Sequence, residues 1–259
     1  MFTDPVFLQS LIIGAVVGAA SGSIGAFIIL ERMALVGDAL SHVALPGIAL
    51  ALAYGIDPFF GVLVSLALAG VIIWRLEART QLPTDALVGI LFTGSLAIGI
   101  LTIPNTEIVE SLFGAFPALS VPMFAVVVGG AVLMTIFSFV YAQKFLFQIV
   151  SRDLARVYGV GEKYHFLQLA IFVLVVALGI KLVGTLLMGA LTIIPATIAR
   201  NITGKMKSYM ILSAVLGSAL SVAGVMLARQ FNLLPGPTII LIGVFIFLCS
   251  LVVRRAESA

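Results

Sequence analysis

Asp38 and His42 stand four residues apart in an otherwise apolar run, Ala34-Leu35-Val36-Gly37-Asp38-Ala39-Leu40-Ser41-His42-Val43-Ala44-Leu45-Pro46-Gly47. On a helix that separation amounts to about 40° of rotation and ~6 Å of rise, so the carboxylate and the imidazole face the same way. Ionisable side chains inside an apolar span are costly and mark function by default. Both groups are ligands for first-row divalent metals. One of each is too few to replace the water shell of a divalent ion. A two-fold dimer would supply two of each, and the two carboxylates would balance the +2 charge. Because nitrogen is half of that ligand set, manganese, iron or zinc suits it better than calcium. A purely structural alternative is that Asp38 caps a helix starting at Ala39, with His42 a neutral buried histidine bonded to Ser41 or a carbonyl.

The elements that must carry this pair follow from composition. The chain is 62% hydrophobic and 10% charged, with a mean hydropathy of +1.26. A soluble domain is roughly one quarter charged, so an all-α polytopic membrane protein is expected. Its 259 residues hold about eight or nine helices of roughly 20 residues each, as a single transmembrane domain over 1–259. Apolar runs place the helices at 7–30, 34–55, 59–74, 86–103, 121–142, 166–180, 183–199, 209–229 and 238–253. Asp57-Pro58, Gln81-Leu82-Pro83-Thr84-Asp85, Pro104-Asn105 and Leu234-Pro235-Gly236-Pro237 mark turns. Only Lys181 and Gly184 divide 166–199, so a long helix with a re-entrant piece is the alternative there. Pro195 is expected to kink its helix. The first run follows Asp4 without a basic flank and reads as a retained span.

On this trace Arg32, Arg75, Arg79, Lys144, Arg152, Arg156, Lys163, Arg200, Lys205, Lys207, Arg254 and Arg255 share one side, against Lys181 and Arg229 on the other. The positive-inside rule makes the larger set cytoplasmic, with the N-terminus outside and the C-terminus inside. The pI near 9.2 thus reflects topology and not a nucleic-acid partner. Glu107 and Glu110 fall outside, as solvated loop carboxylates or near a mouth for cations. Gly14, Gly18, Gly22 and Ala26 form a small-residue stripe that admits a neighbouring helix backbone. Cys249 is the single cysteine, which excludes an intramolecular disulfide.

Enzymatic motifs are missing. No G-x-x-x-x-G-K-[ST] occurs, since Gly204-Lys205 runs into Met206, so the chain carries no P-loop of its own. H-E-x-x-H and G-x-S-x-G are absent, and His42 and His165 are the only histidines. The segment 143–164 combines Lys144, Arg152, Arg156 and Lys163 with Asp153 and Glu162, and sets Leu154 and Val157 on one helical side. A short helix with an apolar edge suits a groove on a partner. The same residues would also serve as an interfacial helix on anionic lipid.

The run Arg32 to Gly47 closely resembles the G-D-x-[LI]-[SA]-H-x-x-[LP] region of the permeases of zinc/manganese/iron-type ABC importers. Further blocks follow in that family's order. Leu112-Phe113-Gly114 resembles its external L-F-G, and Ser151-Arg152-Asp153-Leu154-Ala155 with Gly159 its S-x-D-x-A-x-x-x-G segment. Val183-Gly184-Thr185-Leu186-Leu187 and Leu191 to Arg200 resemble its V-G-x-L-L…L-L-I-I-P-A-x-x-A-R helix, and Pro235-Gly236-Pro237-Thr238 its A-G-P-[ST] turn. Ala115-Phe116-Pro117 depart from the family pattern after L-F-G, and Pro46 matches the manganese/iron-like form of the first motif. The resemblance implies a homodimeric permease in a prokaryotic plasma (inner) membrane, paired with cytoplasmic ABC ATPase subunits that bind ATP and fed by an extracytoplasmic metal-binding protein. It implies that Asp38 and His42 meet the transported metal, which is substrate and not a resident cofactor, and that Ser151, Asp153, Ala155 and Gly159 belong to the ATPase-coupling segment. The competing class is a secondary transporter or channel for divalent cations. Such a protein needs a buried relay of acids and histidines, of which the spans offer little.

Overall fold

A computed structural model describes residues 4–80, 82, 84–102, 119–151, 155, 157, 159–161 and 163–257, with 35–38, 77, 78, 84, 85, 181–183, 186 and 253–257 described by backbone alone. Each of the nine expected apolar runs holds one helix. In chain order the helices are α1 (Pro5–Leu30), α2 (Ala34–Ala53), α3 (Pro58–Thr80), α4 (Thr84–Thr102), α5 (Val121–Val140), α6 (Ala142–Val150), α7 (Lys163–Val183), α8 (Thr185–Ile202), α9 (Met206–Phe231) and α10 (Pro235–Glu257). Among the described residues six stretches, in α1, α3, α5, α7, α9 and α10, are long and apolar enough to cross a membrane; Ala39–Ala53, Ala86–Thr102 and Leu187–Ile202 are shorter apolar helices. The chain is a multi-pass membrane protein. Val64, Leu68, Val132, Leu241 and Phe245 face outward from the bundle.

Local chemistry sets the helix ends. The Asp4 carboxylate accepts from the Val6 N–H at 3.1 Å ahead of Pro5, and the Asp57 carboxylate accepts from the Phe59 N–H at 2.9 Å ahead of Pro58. In both, a proline with no N–H to orphan takes the first helical position. Helix α1 ends with Arg32 left-handed at φ 61°; the Arg32 N–H reaches the Ile29 carbonyl and the Met33 N–H the Ile28 carbonyl. Gly55 at φ 65° closes α2 in the same pattern, and Asn232 at φ 54° ends α9. Gly184 adopts φ 82° and ψ 165°, so 166–199 is divided into two helices and not one. Pro195 lies inside α8, where it has no N–H for the Leu191 carbonyl.

Helix α1 is the centre of the bundle, packed most extensively on α9, then on α8 and α5, and touching α7, α2 and α6. The small-residue stripe explains this. A methyl added at Gly18 would strike the Gly217 carbonyl oxygen, one at Gly22 the Ser213 carbonyl, and one at Gly25 the Thr192 carbonyl. Backbone therefore lies on backbone between α1 and both neighbours. The Tyr209 hydroxyl, from α9, donates to the Ala26 carbonyl at 3.2 Å. Several hydroxyls bond to a carbonyl one turn back along their own chain: Ser10 to Val6, Ser138 to Met134, Thr192 to Met188, Thr135 to Ala131 and Thr238 to Leu234.

Gly18→Leu and Gly22→Val should each destabilise the protein by about 1–3 kcal/mol, because overpacking forces the backbones apart. Gly94→Ala, which meets open space, should be neutral. Thermal unfolding in detergent checks this, and equal Tm values for all three variants would contradict the packing assignment.

Candidate metal site and coupling segment

Helix α2 carries the two candidate metal ligands, Asp38 and His42. It begins at Ala34 after Met33, so Asp38 lies inside the helix and does not cap one starting at Ala39. The Asp38 side chain lies outside the described residues. His42 is buried, 8% exposed, and its ring meets Phe92 of α4 edge-on with centroids 5.3 Å apart. Leu40, Ser41 and Ala44 around it are fully buried.

The register of α2 is fixed by α3, α4 and α8. The Ser65 hydroxyl of α3 donates to the Val43 carbonyl at 2.6 Å. Gly47 and Gly61 face one another so closely that a methyl on either would strike the other's carbonyl oxygen. Pro46 has no N–H to donate to the carbonyl of His42, four residues back, which loosens the backbone at the imidazole-bearing residue. Among the described residues no three His, Cys, Asp or Glu side chains gather around one point.

The second group of expected residues follows α6. Helix α6, Ala142–Val150, has Phe145 as its buried face; of the expected apolar edge Val157 is helical and Leu154 lies outside the described residues, as do Asp153, Leu112-Phe113-Gly114, Glu107 and Glu110. Ser151 terminates α6 in extended backbone, and its carbonyl accepts from the Ala155 N–H at 2.9 Å. Ala155 is fully buried, so it packs within this chain and offers no surface. Val157 is 82% exposed. Gly159 is exposed and left-handed at φ 70°, with the Val160 N–H returning to the Ala155 carbonyl at 2.8 Å.

Three contacts here carry no sequence signature. The Gln148 carboxamide donates to the carbonyls of Val160 at 2.7 Å and Gly161 at 2.9 Å. The Lys144 ammonium donates to the Tyr164 hydroxyl at 2.9 Å and lies over the Tyr141 and Tyr164 rings. Phe145 meets Phe27 of α1 edge-on at 5.4 Å, both fully buried. One turn into α7, Gln168 is 2% exposed and donates to the Glu31 carboxylate at 2.9 Å, tying the end of α1 to the start of α7.

Comparison with known proteins places this arrangement. The chain is 34% identical over 250 residues to the manganese import system permease protein ScaB of Streptococcus gordonii, covering 94% of this chain and 90% of that one. It is 31% identical over 259 residues to the high-affinity zinc uptake system membrane protein ZnuB of Haemophilus influenzae, covering 96% and 98%. Among solved structures, PsaBC from Streptococcus pneumoniae in complex with Fab superimposes with a TM-score of 0.83 at 32% identity, over 96% of this chain and 91% of that one. With residues 3–254 matching the ABC 3 transport family, the chain belongs to that family.

Proposed function

We propose that this chain is the permease subunit of an ATP-driven importer that carries a divalent transition metal, manganese foremost, into the prokaryotic cytoplasm. The observation that carries the reading is an aspartate and a buried histidine one helical turn apart on α2 of an ABC 3 family chain. Manganese is favoured over zinc by the ScaB likeness and by Pro46. Two copies of the chain would bring two Asp38 and two His42 to one ion, assembled with two ATPase subunits and fed by an extracytoplasmic metal-binding protein. In this reading α1–α5 and α7–α10 all cross the inner membrane, N-terminus outside. The pairings agree with that topology: Asp4 and Arg229, 3.2 Å apart, both fall outside, and Lys144 and Tyr164 both fall inside. The cytoplasmic ATPase docks on the segment holding Ser151, Asp153, Ala155 and Gly159, and the apolar contact it receives is the exposed Val157.

Asp38→Asn and His42→Ala should abolish metal uptake into metal-depleted cells while leaving insertion intact. Asn keeps the shape but not the charge that offsets the cation, and Ala removes a ligand. Normal uptake by both variants would sink the assignment.

Metal binding to the reconstituted permease should weaken between about pH 8 and about pH 5.5, because protons compete for imidazole nitrogen and carboxylate oxygen alike. Proton competition is weaker at the higher pH, so affinity is greatest there and is lost as pH falls. Titration with manganese across that range checks the sign; a flat profile argues against a two-Asp, two-His site.

Val157→Asp should release the ATPase on affinity purification of the complex, since a charge is placed where an apolar contact is proposed. Copurification at wild-type stoichiometry would place the ATPase elsewhere.

A further inference from the structure

We infer that Gln148 is the positioning residue that makes the coupling segment stiff enough to move α1, an inference that rests on the docking of the ATPase at that segment. From Ser151 to Gly161 the chain makes an excursion whose described surface is Val157 and Gly159. Its described backbone bonds, Ala155 to Ser151 and Val160 to Ala155, shape the turn, and the Gly161 carbonyl accepts from the Tyr164 N–H at 3.1 Å at the start of α7; none of these ties the far end to α6. Gln148 does that. A carboxamide nitrogen carries two N–H donors, and here they close on two consecutive carbonyls, Val160 and Gly161, twelve and thirteen residues along the chain.

The excursion thereby becomes one body with α6, and α6 is braced twice. Phe145, one turn before Gln148, is wedged against Phe27 near the end of α1. Lys144 is bonded to Tyr164 at the start of α7. A displacement imposed at Val157 reaches α1 through Gln148, α6 and the Phe145–Phe27 contact. Without the carboxamide the far end of the excursion is held by α7 and not by α6, and the displacement no longer passes through Phe145 to α1. Gln148 touches neither metal nor nucleotide; it acts through the segment it holds.

The test uses the whole transporter, permease with ATPase and extracytoplasmic protein, in proteoliposomes with manganese as the probe. In Gln148→Met, similar in length but without donors, metal delivered per ATP hydrolysed should fall about tenfold, the size of effect expected for the loss of a paired hydrogen bond, with the ATPase still bound. A merely structural residue would lower the amount of assembled complex and leave the ratio alone. A second variant removes the folding objection: Gln148→Cys with Gly161→Cys, in a Cys249→Ser background, bridged by a short bifunctional thiol reagent. Gly161 has open space for a side chain. The ratio should be low before bridging and recover after it. A wild-type ratio in Gln148→Met, or in the unbridged pair, overturns the inference. The Val157→Asp variant run alongside separates the two claims. If it leaves the ATPase bound, the docking reading fails; if it releases the ATPase while Gln148→Met couples normally, only the role of Gln148 fails.

Discussion

The close approach of the α1 backbone to α9 and α8 is the constraint from which the rest of the bundle follows. In lipid no hydrophobic force drives helices together, so association depends on how closely two backbones can come. At Gly18, Gly22 and Gly25 nothing separates α1 from the carbonyls of Gly217, Ser213 and Thr192. With α1 held on that side, its remaining surface takes α5, α7, α2 and α6, and both ends of the chain's chemistry hang from it. Helix α2, with the proposed metal ligands, follows α1 through the left-handed Arg32. The coupling segment rests on α1 through Phe27. One helix with almost no polar side chains thus links the place where a metal would bind to the place where an ATPase would push.

Much of this was legible beforehand, and the reasons are specific. Period-four glycines in α1 have few explanations other than backbone contact, and Asp-Pro before an apolar run is a helix start in both Asp4-Pro5 and Asp57-Pro58. The Asp38/His42 spacing could be assigned to one helical face without knowing the fold. The apolar runs also placed the end of α1 at Leu30 and the start of α2 at Ala34. What they did not carry is the left-handed backbone of Arg32 between them, a conformation that glycine or asparagine usually takes. The break between α7 and α8 rests on a single backbone conformation at Gly184, which a glycine permits but does not require.

The segment 143–164 was legible only in part. Its apolar edge was expected at Leu154 and Val157; Leu154 lies outside the described residues and Val157 is helical and exposed, while a fully buried apolar side chain, Phe145, lies upstream in α6. Ala155 fits a family motif, but the fold buries it within its own chain. Motif resemblance locates a residue in sequence; whether it faces a partner depends on the turn around it. Gln148 escaped notice because an isolated glutamine among hydrophobic residues has no periodicity to read, and its partners are backbone carbonyls with no side-chain identity at all.

The hydroxyls that bond back into their own helices have a consequence for motion. An importer must expose its interior to one side of the membrane and then to the other, so its helices must shift against their neighbours. An interhelical hydrogen bond in a medium without water is lost outright during such a shift, at a cost of several kcal/mol for each buried polar group left bare. Ser10, Ser138, Thr135, Thr192 and Thr238 have their donors committed to carbonyls that travel with them. The surfaces they line behave as smooth bearings: a helix can slide or rotate past another and arrive with its polar groups still satisfied. Resistance to rearrangement then comes from the shape of the packing, which repays on the far side of the movement what it charges on the near side.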